Sequence, residues 1–245
     1  MPKLPMRTTL NYSPNFDVKK RKLKEIKFII FHYTGIKKES KAIKKLTDQK
    51  SKVSSHYFIK KNGEILTLVP DLYTAWHAGV SFWKKYKLLN KYSIGIEISN
   101  PGHNYNYTKF SNKQIISICK LCKFLINKYK IKSTFILGHS DIAPGRKIDP
   151  GEKFPWKYLS KKKIGYWHDL EQNYLFSKRN LEVNTKAELN FIKNLRRIGY
   201  NEIKNIPKNK STKLITKAFQ RRFRQDLING VIDQECLLIS KNLLK

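Results

Sequence analysis

The sequence contains very few cysteines, which limits the chemistry that sulfur can provide. Only three are present in 245 residues, too few for a framework of several disulfide bridges. Cys119 and Cys122 form an isolated Cys-x-x-Cys pair inside an apolar run with helical spacing, and no second pair is available to complete a zinc site. We therefore expect these residues to be core thiols rather than part of a redox or metal centre.

Long apolar runs are also missing. No stretch approaches the roughly 20 apolar residues that a membrane-spanning helix needs, so we expect no membrane span. Residues 1–24 hold no continuous apolar segment of the kind found in a signal peptide. Three origins fit this N-terminus: a cytoplasmic protein, a signal removed from this chain, or unconventional export.

Acidic residues are scarce: 18 Asp and Glu stand against 51 Lys and Arg, for a net charge of +33. Such a charge favours a polyanionic partner, either nucleic acid, an anionic membrane or an acidic cell-wall polymer. A general bias toward lysine also explains the charge, and we favour this interpretation. The basic excess is spread evenly between residues 183–245 and the rest of the chain, and no nucleic-acid-binding motif is present. We therefore expect no specific nucleic-acid partner.

The sequence does contain enough apolar material to fold, with 40% hydrophobic and 12% aromatic residues. Asn62-Gly63 predicts a type I′ turn between two short strands, and Ser111 with Gln114 predicts a capped helix that ends near Tyr129. Together these patterns predict an α/β fold with a mixed central sheet flanked by helices. The strand-like segments are residues 27–33, 57–59, 65–69, 93–99 and 134–138.

The C-terminal quarter shows a purely helical pattern. Thr185 with Glu188 predicts a capping box at the start of a helix that stops near Gly199. Two further helices are predicted near 211–226 and from Asp233 onward, which makes a small all-α bundle with a core of its own. The predicted division is 1–160 for the main domain, with an N-terminal extension at 1–25, then 161–182 for a linker and 183–245 for the three-helix domain.

Polar residues of catalytic type follow the ends of predicted strands. His32 ends one strand and His139 follows another; Lys147 and Asp149 lie on the Pro/Gly-interrupted loop after His139. Glu97 leaves its strand on the face opposite Ile94, Ile96 and Ile98. Imidazole and carboxylate groups bind zinc, and a catalytic zinc usually takes three protein ligands. Two hydrogen-bonded histidines at strand ends would fit this spacing as well as a metal site does.

Several short sequence blocks, in a fixed order, resemble the type 2 N-acetylmuramoyl-L-alanine amidases, the zinc family related to T7 lysozyme and to peptidoglycan recognition proteins. The resemblance covers about residues 25–160. It is closest to members in which aspartate, rather than cysteine, is the third metal ligand. The blocks are residues 31–34, 54–59, 76–79, 93–97, 138–141 and 147–151.

The resemblance implies hydrolysis of the amide bond between N-acetylmuramic acid, or its anhydro form, and L-alanine in peptidoglycan. One Zn²⁺ per chain would be bound by His32, His139 and Asp149. Glu97 would act as the base, and Lys147 would stabilise the oxyanion. The partner would be peptidoglycan or soluble muropeptides. A protein that recognises peptidoglycan without cleaving it is the alternative, and the oligomeric state is left open.

The resemblance also suggests residues around the substrate. His77 would line the groove, whereas His56 corresponds to a position in the family's core or behind its ligands. Residues 183–245 loosely resemble a three-helix peptidoglycan-binding domain, which favours action in the cell envelope, as a periplasmic or secreted protein, over a cytoplasmic role. Deleting a tethered domain should then spare small soluble substrates. A helical appendage for stability or oligomerisation is the alternative. The candidate substrate-binding residues are Tyr33, His56, Trp76, His77 and Arg146.

Overall fold

The fold was analysed in a computed structural model, which describes residues 8–245. The first seven residues of the predicted N-terminal extension lie outside this range. The strands are β1 Thr8–Leu10, β2 Phe16–Asp17, β3 Phe28–Tyr33, β4 Tyr57–Ile59, β5 Ile65–Thr67, β6 Thr74–Ala75, β7 Phe82–Trp83, β8 Tyr86–Lys87, β9 Ser93–Ile98 and β10 Ile136–Gly138. The α-helices are α1 Glu39–Thr47, α2 Asn112–Tyr129, α3 His139–Ile142, α4 Trp156–Lys161, α5 Gln172–Lys178, α6 Thr185–Ile198, α7 Lys208–Phe223 and α8 Gln234–Asn242.

Six strands form the central sheet in the order β1-β5-β4-β9-β3-β10. Strands β4, β9, β3 and β10 run parallel to one another, whereas β5 is antiparallel to β4. Strand β1 pairs parallel to β5 at the sheet edge. The sheet is therefore mixed, and the predicted α/β class is confirmed. Within residues 8–245, no helix has the length and apolar character needed to cross a membrane.

Strand β3 lies in the interior of the sheet and is buried on both faces. Ile29 and Phe31 belong to a hydrophobic cluster that includes residues of α2 and α4, while Phe28 and Ile30 belong to a second cluster on the opposite face. All four side chains are completely buried. This explains why the segment reads as a continuous apolar run rather than an alternating one. Helix α2 begins at the predicted Ser111 cap with its capping box intact.

Two local predictions were wrong. Strands β4 and β5 do pair as an antiparallel hairpin, but only Gly63 has a positive φ, so Asn62-Gly63 is not a type I′ turn. The connection is a five-residue loop closed between Lys60 and Glu64. Helix α6 is capped by Asn184, whose side chain accepts the Ala187 N–H, instead of by Thr185. In both cases a neighbouring residue supplies the hydrogen bond that the sequence motif had assigned elsewhere.

The C-terminal helices do not have a core of their own. The second cluster joins Phe28 and Leu137 of the sheet to Phe191, Phe219 and other apolar residues of α6, α7 and α8. Residues 161–182, predicted as a linker, contain α5 and also pack, with Leu175 buried in the same cluster. The helices thus cover one face of the sheet, which corrects the expectation of a separate core and argues against a deletion that spares activity.

Candidate metal centre and active site

The candidate site lies at the carboxyl ends of three neighbouring parallel strands. In the register of β3 and β9, His32 is paired with Glu97. In the register of β3 and β10, Phe31 is paired with Gly138, so His139 emerges beside His32. His139 begins the single-turn helix α3, and the following loop returns Asp149 to the same point. Sheet register, rather than sequence proximity, therefore brings these groups together.

Three potential ligand atoms converge at this point. His32 Nδ1 lies 2.9 Å from His139 Nδ1 and 3.0 Å from Asp149 Oδ2. His139 Nδ1 lies 3.1 Å from the same carboxylate oxygen. All three residues are buried, and together they form a group able to hold a metal ion. The structure thus unites the three residues that the sequence analysis named as ligands.

The protonation of these groups suits metal ligation. Burial, and then the neighbouring His139, lowers the pKa of His32 to about 4, so the imidazole is neutral at pH 7. His139 Nε2 lies 3.1 Å from the Ala78 carbonyl oxygen. Because a carbonyl only accepts, Nε2 carries the hydrogen and Nδ1 presents a lone pair.

Glu97 lines the same cavity as the three candidate ligands. Its Oε2 atom is buried and finds no hydrogen-bond partner among residues 8–245. Burial, reinforced by the charge of Asp149, raises the pKa of Glu97 to about 8. A poorly solvated carboxylate of this kind is a stronger base than an exposed one. The unpaired oxygen is therefore suited to exchange a proton with a molecule bound in the cavity.

The site opens into a cavity of about 300 Å³. Lys147 lines it together with Glu97 and the three candidate ligands, so all five residues predicted for the chemistry meet there. Lys45 and Asn104 also line it, although sequence reasoning gave them no role. Asn104 follows Pro101-Gly102 shortly after β9 ends, so the strand-end argument that found His32 would also have found Asn104. Lys45 on α1 carried no comparable signal.

The five predicted substrate-binding residues have different surroundings. Tyr33, Trp76, His77 and Arg146 line the cavity, whereas His56 does not. His56 is completely buried; its Nδ1 accepts the Gly95 N–H and its Nε2 lies 3.0 Å from the Tyr73 carbonyl oxygen. The prediction that His56 contacts the substrate is therefore corrected, because this residue lies in the core.

All four cavity residues are hydrogen-bonded to other parts of the protein, His77 through both of its ring nitrogens. Tyr33 Oη lies 2.9 Å from His103 Nδ1, and Trp76 Nε1 donates to Asp17 Oδ1. Arg146 Nη2 donates to the Ala78 and Val80 carbonyl oxygens at 2.8 and 2.9 Å. Arg146 thereby links the loop that carries Asp149 to the Ala78 segment. These bonds position the cavity wall before any substrate arrives.

The chain matches the N-acetylmuramoyl-L-alanine amidase family over residues 22–152. It is 37% identical to the N-acetylmuramoyl-L-alanine amidase AmiD of Escherichia coli, covering 90% of this chain and 83% of that protein. Two solved structures are similar along most of their length. AmiD from E. coli in complex with anhydro-N-acetylmuramic acid-L-Ala-D-γ-Glu-L-Lys has a TM-score of 0.79 at 35% identity, covering 90% of this chain and 89% of that one. AmpDh3 from Pseudomonas aeruginosa in complex with anhydromuramic pentapeptide has a TM-score of 0.78 at 29% identity, covering 99% and 96%.

Proposed function

The chain belongs to the N-acetylmuramoyl-L-alanine amidase family, and on that premise we propose how its residues act on peptidoglycan. The enzyme hydrolyses the amide bond between N-acetylmuramic acid, or its anhydro form, and L-alanine. The observation that carries the proposed mechanism is the convergence of His32, His139 and Asp149 in the cavity that Glu97 also lines, with Glu97 Oε2 buried and lacking a hydrogen-bond partner among residues 8–245.

We propose that the metal is zinc, one ion per chain, held by His32 Nδ1, His139 Nδ1 and Asp149. The donor set supports this, because two neutral imidazoles and one carboxylate match the three-ligand sites of catalytic zinc. The mutual distances of 2.9–3.1 Å leave these donors facing one common point. Zinc bound there would supply a Lewis acid that acidifies water and polarises the scissile carbonyl.

Glu97 is the proposed general base. It accepts a proton from the water that attacks the carbonyl carbon joining the lactyl group to L-alanine. Its buried Oε2 supports this role, since no hydrogen-bond donor among residues 8–245 has to leave it before it accepts the proton. Glu97 then returns the proton to the departing amine nitrogen of L-alanine. One carboxylate therefore serves as base and acid in successive steps.

Lys147 is the proposed electrostatic partner of the oxyanion. Its half-buried side chain lines the cavity, two residues before Asp149 on the same loop. An ammonium group in a partly desolvated site stabilises developing negative charge more strongly than one in bulk water. The loop that supplies the third ligand thus also supplies the cation, which fixes their spacing.

We propose soluble anhydromuramyl peptides as substrates, because both similar solved structures hold such a ligand. Tyr33, Trp76, His77 and Arg146 surround the position where it would lie. A peptidoglycan-recognition protein without catalytic activity is disfavoured, since all three ligand residues and both catalytic residues face one cavity. Binding without cleavage would leave the mass of such a peptide unchanged after long incubation.

We also propose that residues 183–245 contribute to holding peptidoglycan, and that the protein works in the cell envelope. The similarity to AmiD over 90% of the chain includes much of this region. A groove between α6 and α7, lined by Ile192, Arg196 and Thr212, offers a surface for such contact.

Because the C-terminal helices share the main core, surface substitutions test the role of this groove better than deletion of the helices. A double I192A/T212A variant should pellet less with purified sacculi yet cleave soluble peptides normally, and unchanged pelleting would refute the role of this groove.

The metal assignment is tested by elemental analysis of the purified protein. Wild type should contain about one zinc per chain, whereas D149A should contain little, because removing one of three ligands leaves only two. The control is S240A, which replaces a buried serine of α8. A D149A protein with full zinc content would remove Asp149 from the ligand set.

A further inference from the structure

His77 lines the cavity, but both of its ring nitrogens already have partners in the protein. Nδ1 lies 2.9 Å from His32 Nε2, and Nε2 lies 3.0 Å from Ser93 Oγ. Neither nitrogen is therefore free to bind a substrate. The side chain sits behind His32, away from the converging ligand atoms, so its role has to be sought in the contact with that histidine.

Ser93 fixes the direction of the hydrogen bonds that join Ser93, His77 and His32. Its Oγ lies 2.6 Å from the Leu89 carbonyl oxygen, which can only accept a hydrogen bond. A serine hydroxyl has a single hydrogen. If that hydrogen did not lie between Ser93 Oγ and the Leu89 oxygen, the two oxygens would repel each other at 2.6 Å. The hydroxyl hydrogen is therefore committed to Leu89, and Ser93 Oγ must accept from His77 Nε2–H.

The direction of the bond between His77 and Ser93 also determines which nitrogen of His32 carries the hydrogen. With its hydrogen on Nε2, a neutral His77 presents the lone pair of Nδ1 to His32. His32 Nε2 must then carry the hydrogen, which leaves the His32 Nδ1 lone pair aimed at Asp149 and His139. His139 is set in the same tautomer by the carbonyl of Ala78, the residue after His77. The dipeptide His77-Ala78 thus orients both His32 and His139.

We propose that His77, with Ser93 behind it, is a positioning residue that holds His32 in the tautomer able to bind the metal. The inference rests on the proposed zinc site. It also explains Gly95: a Cβ atom there would lie 2.4 Å from the His77 ring, so only glycine lets the imidazole pack over β9. Outer hydrogen-bond partners of metal-bound histidines typically contribute about 10–100-fold to metal affinity.

Two kinds of substitution separate this role from others. H77L removes the acceptor for His32 Nε2–H, whereas H77N keeps an acceptor oxygen near the position of Nδ1. S93A leaves His77 free to adopt either tautomer. The matched control is S240A, a completely buried serine that also donates to a carbonyl, Leu237 O, and accepts from a side-chain nitrogen, Asn194 Nδ2.

The test is zinc affinity of the metal-free full-length protein, measured by competition with a chromophoric chelator. We expect the dissociation constant to rise about 10–100-fold in H77L, with a smaller rise in S93A and partial recovery in H77N. S240A should match wild type. Equal affinity of H77L and wild type would overturn the inference, and a purely structural role would weaken H77N as much as H77L.

A second readout is the tautomer itself. Long-range ¹H–¹⁵N NMR spectra of the metal-free protein should show the His32 hydrogen on Nε2 in wild type and a mixture of tautomers in H77L. A wild-type His32 protonated on Nδ1 would contradict the proposal. Failure of wild type to bind zinc at all would instead reject the proposed metal site, so the two ideas fail in different ways.

Discussion

Arg222 on α7 forms an ion pair with Asp141 on α3, with 2.6 Å between Nη1 and Oδ2 and both side chains only 1% exposed. Asp141 lies two residues after His139, and its Oδ2 also accepts the Gly138 N–H. Tyr200 Oη donates to Asp141 Oδ1 at 2.7 Å. Helix α7 and the segment that follows α6 therefore hold the turn that presents His139, the candidate metal ligand, so the C-terminal part of the chain supports the candidate active site.

Replacing Arg222 should impair both stability and catalysis. R222M leaves the Asp141 carboxylate buried without its counter-charge, and breaking a buried pair in this way costs about 3–5 kcal/mol. We expect a large drop in the free energy of unfolding, measured by urea denaturation, and slower cleavage of a soluble muropeptide at temperatures where the variant remains folded.

The control for this prediction is R224M. Arg224 forms another buried ion pair, with Asp233, but within the C-terminal helices themselves. Its loss should destabilise the protein while sparing the activity of the folded fraction. Equal loss of specific activity in R224M and R222M would show that the effect of Arg222 is general destabilisation rather than support of the His139 turn.

Glu97→Gln should abolish turnover while retaining the metal. The amide keeps the size of the side chain but cannot accept the proton of the attacking water, so we expect kcat to fall about 10²–10⁴-fold. Zinc content should match wild type, since Glu97 is not among the converging ligands. Steady-state cleavage and elemental analysis of the same preparation check both halves, and an active E97Q enzyme would remove Glu97 from the mechanism.

Lys147→Met should slow the reaction with the metal still bound. The methionine preserves length and apolar contacts but removes the positive charge, and loss of one oxyanion-stabilising group typically costs about 10²–10³-fold in kcat. KM should change much less than kcat, because the charge acts mainly on the transition state. Conversely, a variant with a raised KM and normal kcat would make Lys147 a substrate-binding residue.

The metal-free protein should show a characteristic dependence of stability on pH. Burial raises the pKa of Glu97 from 4.5 to about 8, so between these values the folded chain holds a proton that the unfolded chain releases. Stability is then lost as pH rises through this window and levels off above about pH 8. E97Q lacks this titration.

The difference in melting temperature, E97Q minus wild type, should therefore grow from pH 5 to pH 8. A gap in unfolding free energy of about 1–3 kcal/mol is expected at the upper end. Comparing the two proteins cancels the titration of groups that do not interact with Glu97. A difference that stays constant with pH would mean that Glu97 is solvated in the metal-free protein.

The sequence predicted the site residues that follow strand ends, but it did not predict the residues whose roles depend on tertiary packing. His32, His139 and Asp149 could be named because polar residues after apolar strands are conspicuous, and the resemblance assigned their roles. The role of Ser93 could not be predicted, since it depends on a 2.6 Å contact with Leu89 that no spacing encodes. The Arg222–Asp141 pair spans 81 residues and gave no periodic signal.

The domain organisation shows the same limit. Three amphipathic helices after residue 183 look the same in a sequence whether they pack on each other or on a sheet. Phe28 and Ile30 gave the missing clue: a strand with apolar residues on both faces needs two covering layers, and α2 and α4 cover only one of them. The partner of the second face is α6, α7 and α8.

The most direct test of the account is cleavage of a purified anhydromuramyl tripeptide followed by mass spectrometry. We expect the untreated enzyme to release the free peptide and anhydro-N-acetylmuramic acid, the chelator-treated enzyme to release neither, and added zinc to restore both products. Full cleavage by enzyme from which the metal has been verifiably removed, or no cleavage by the zinc-loaded enzyme, would contradict the assignment of His32, His139 and Asp149 to a catalytic zinc site.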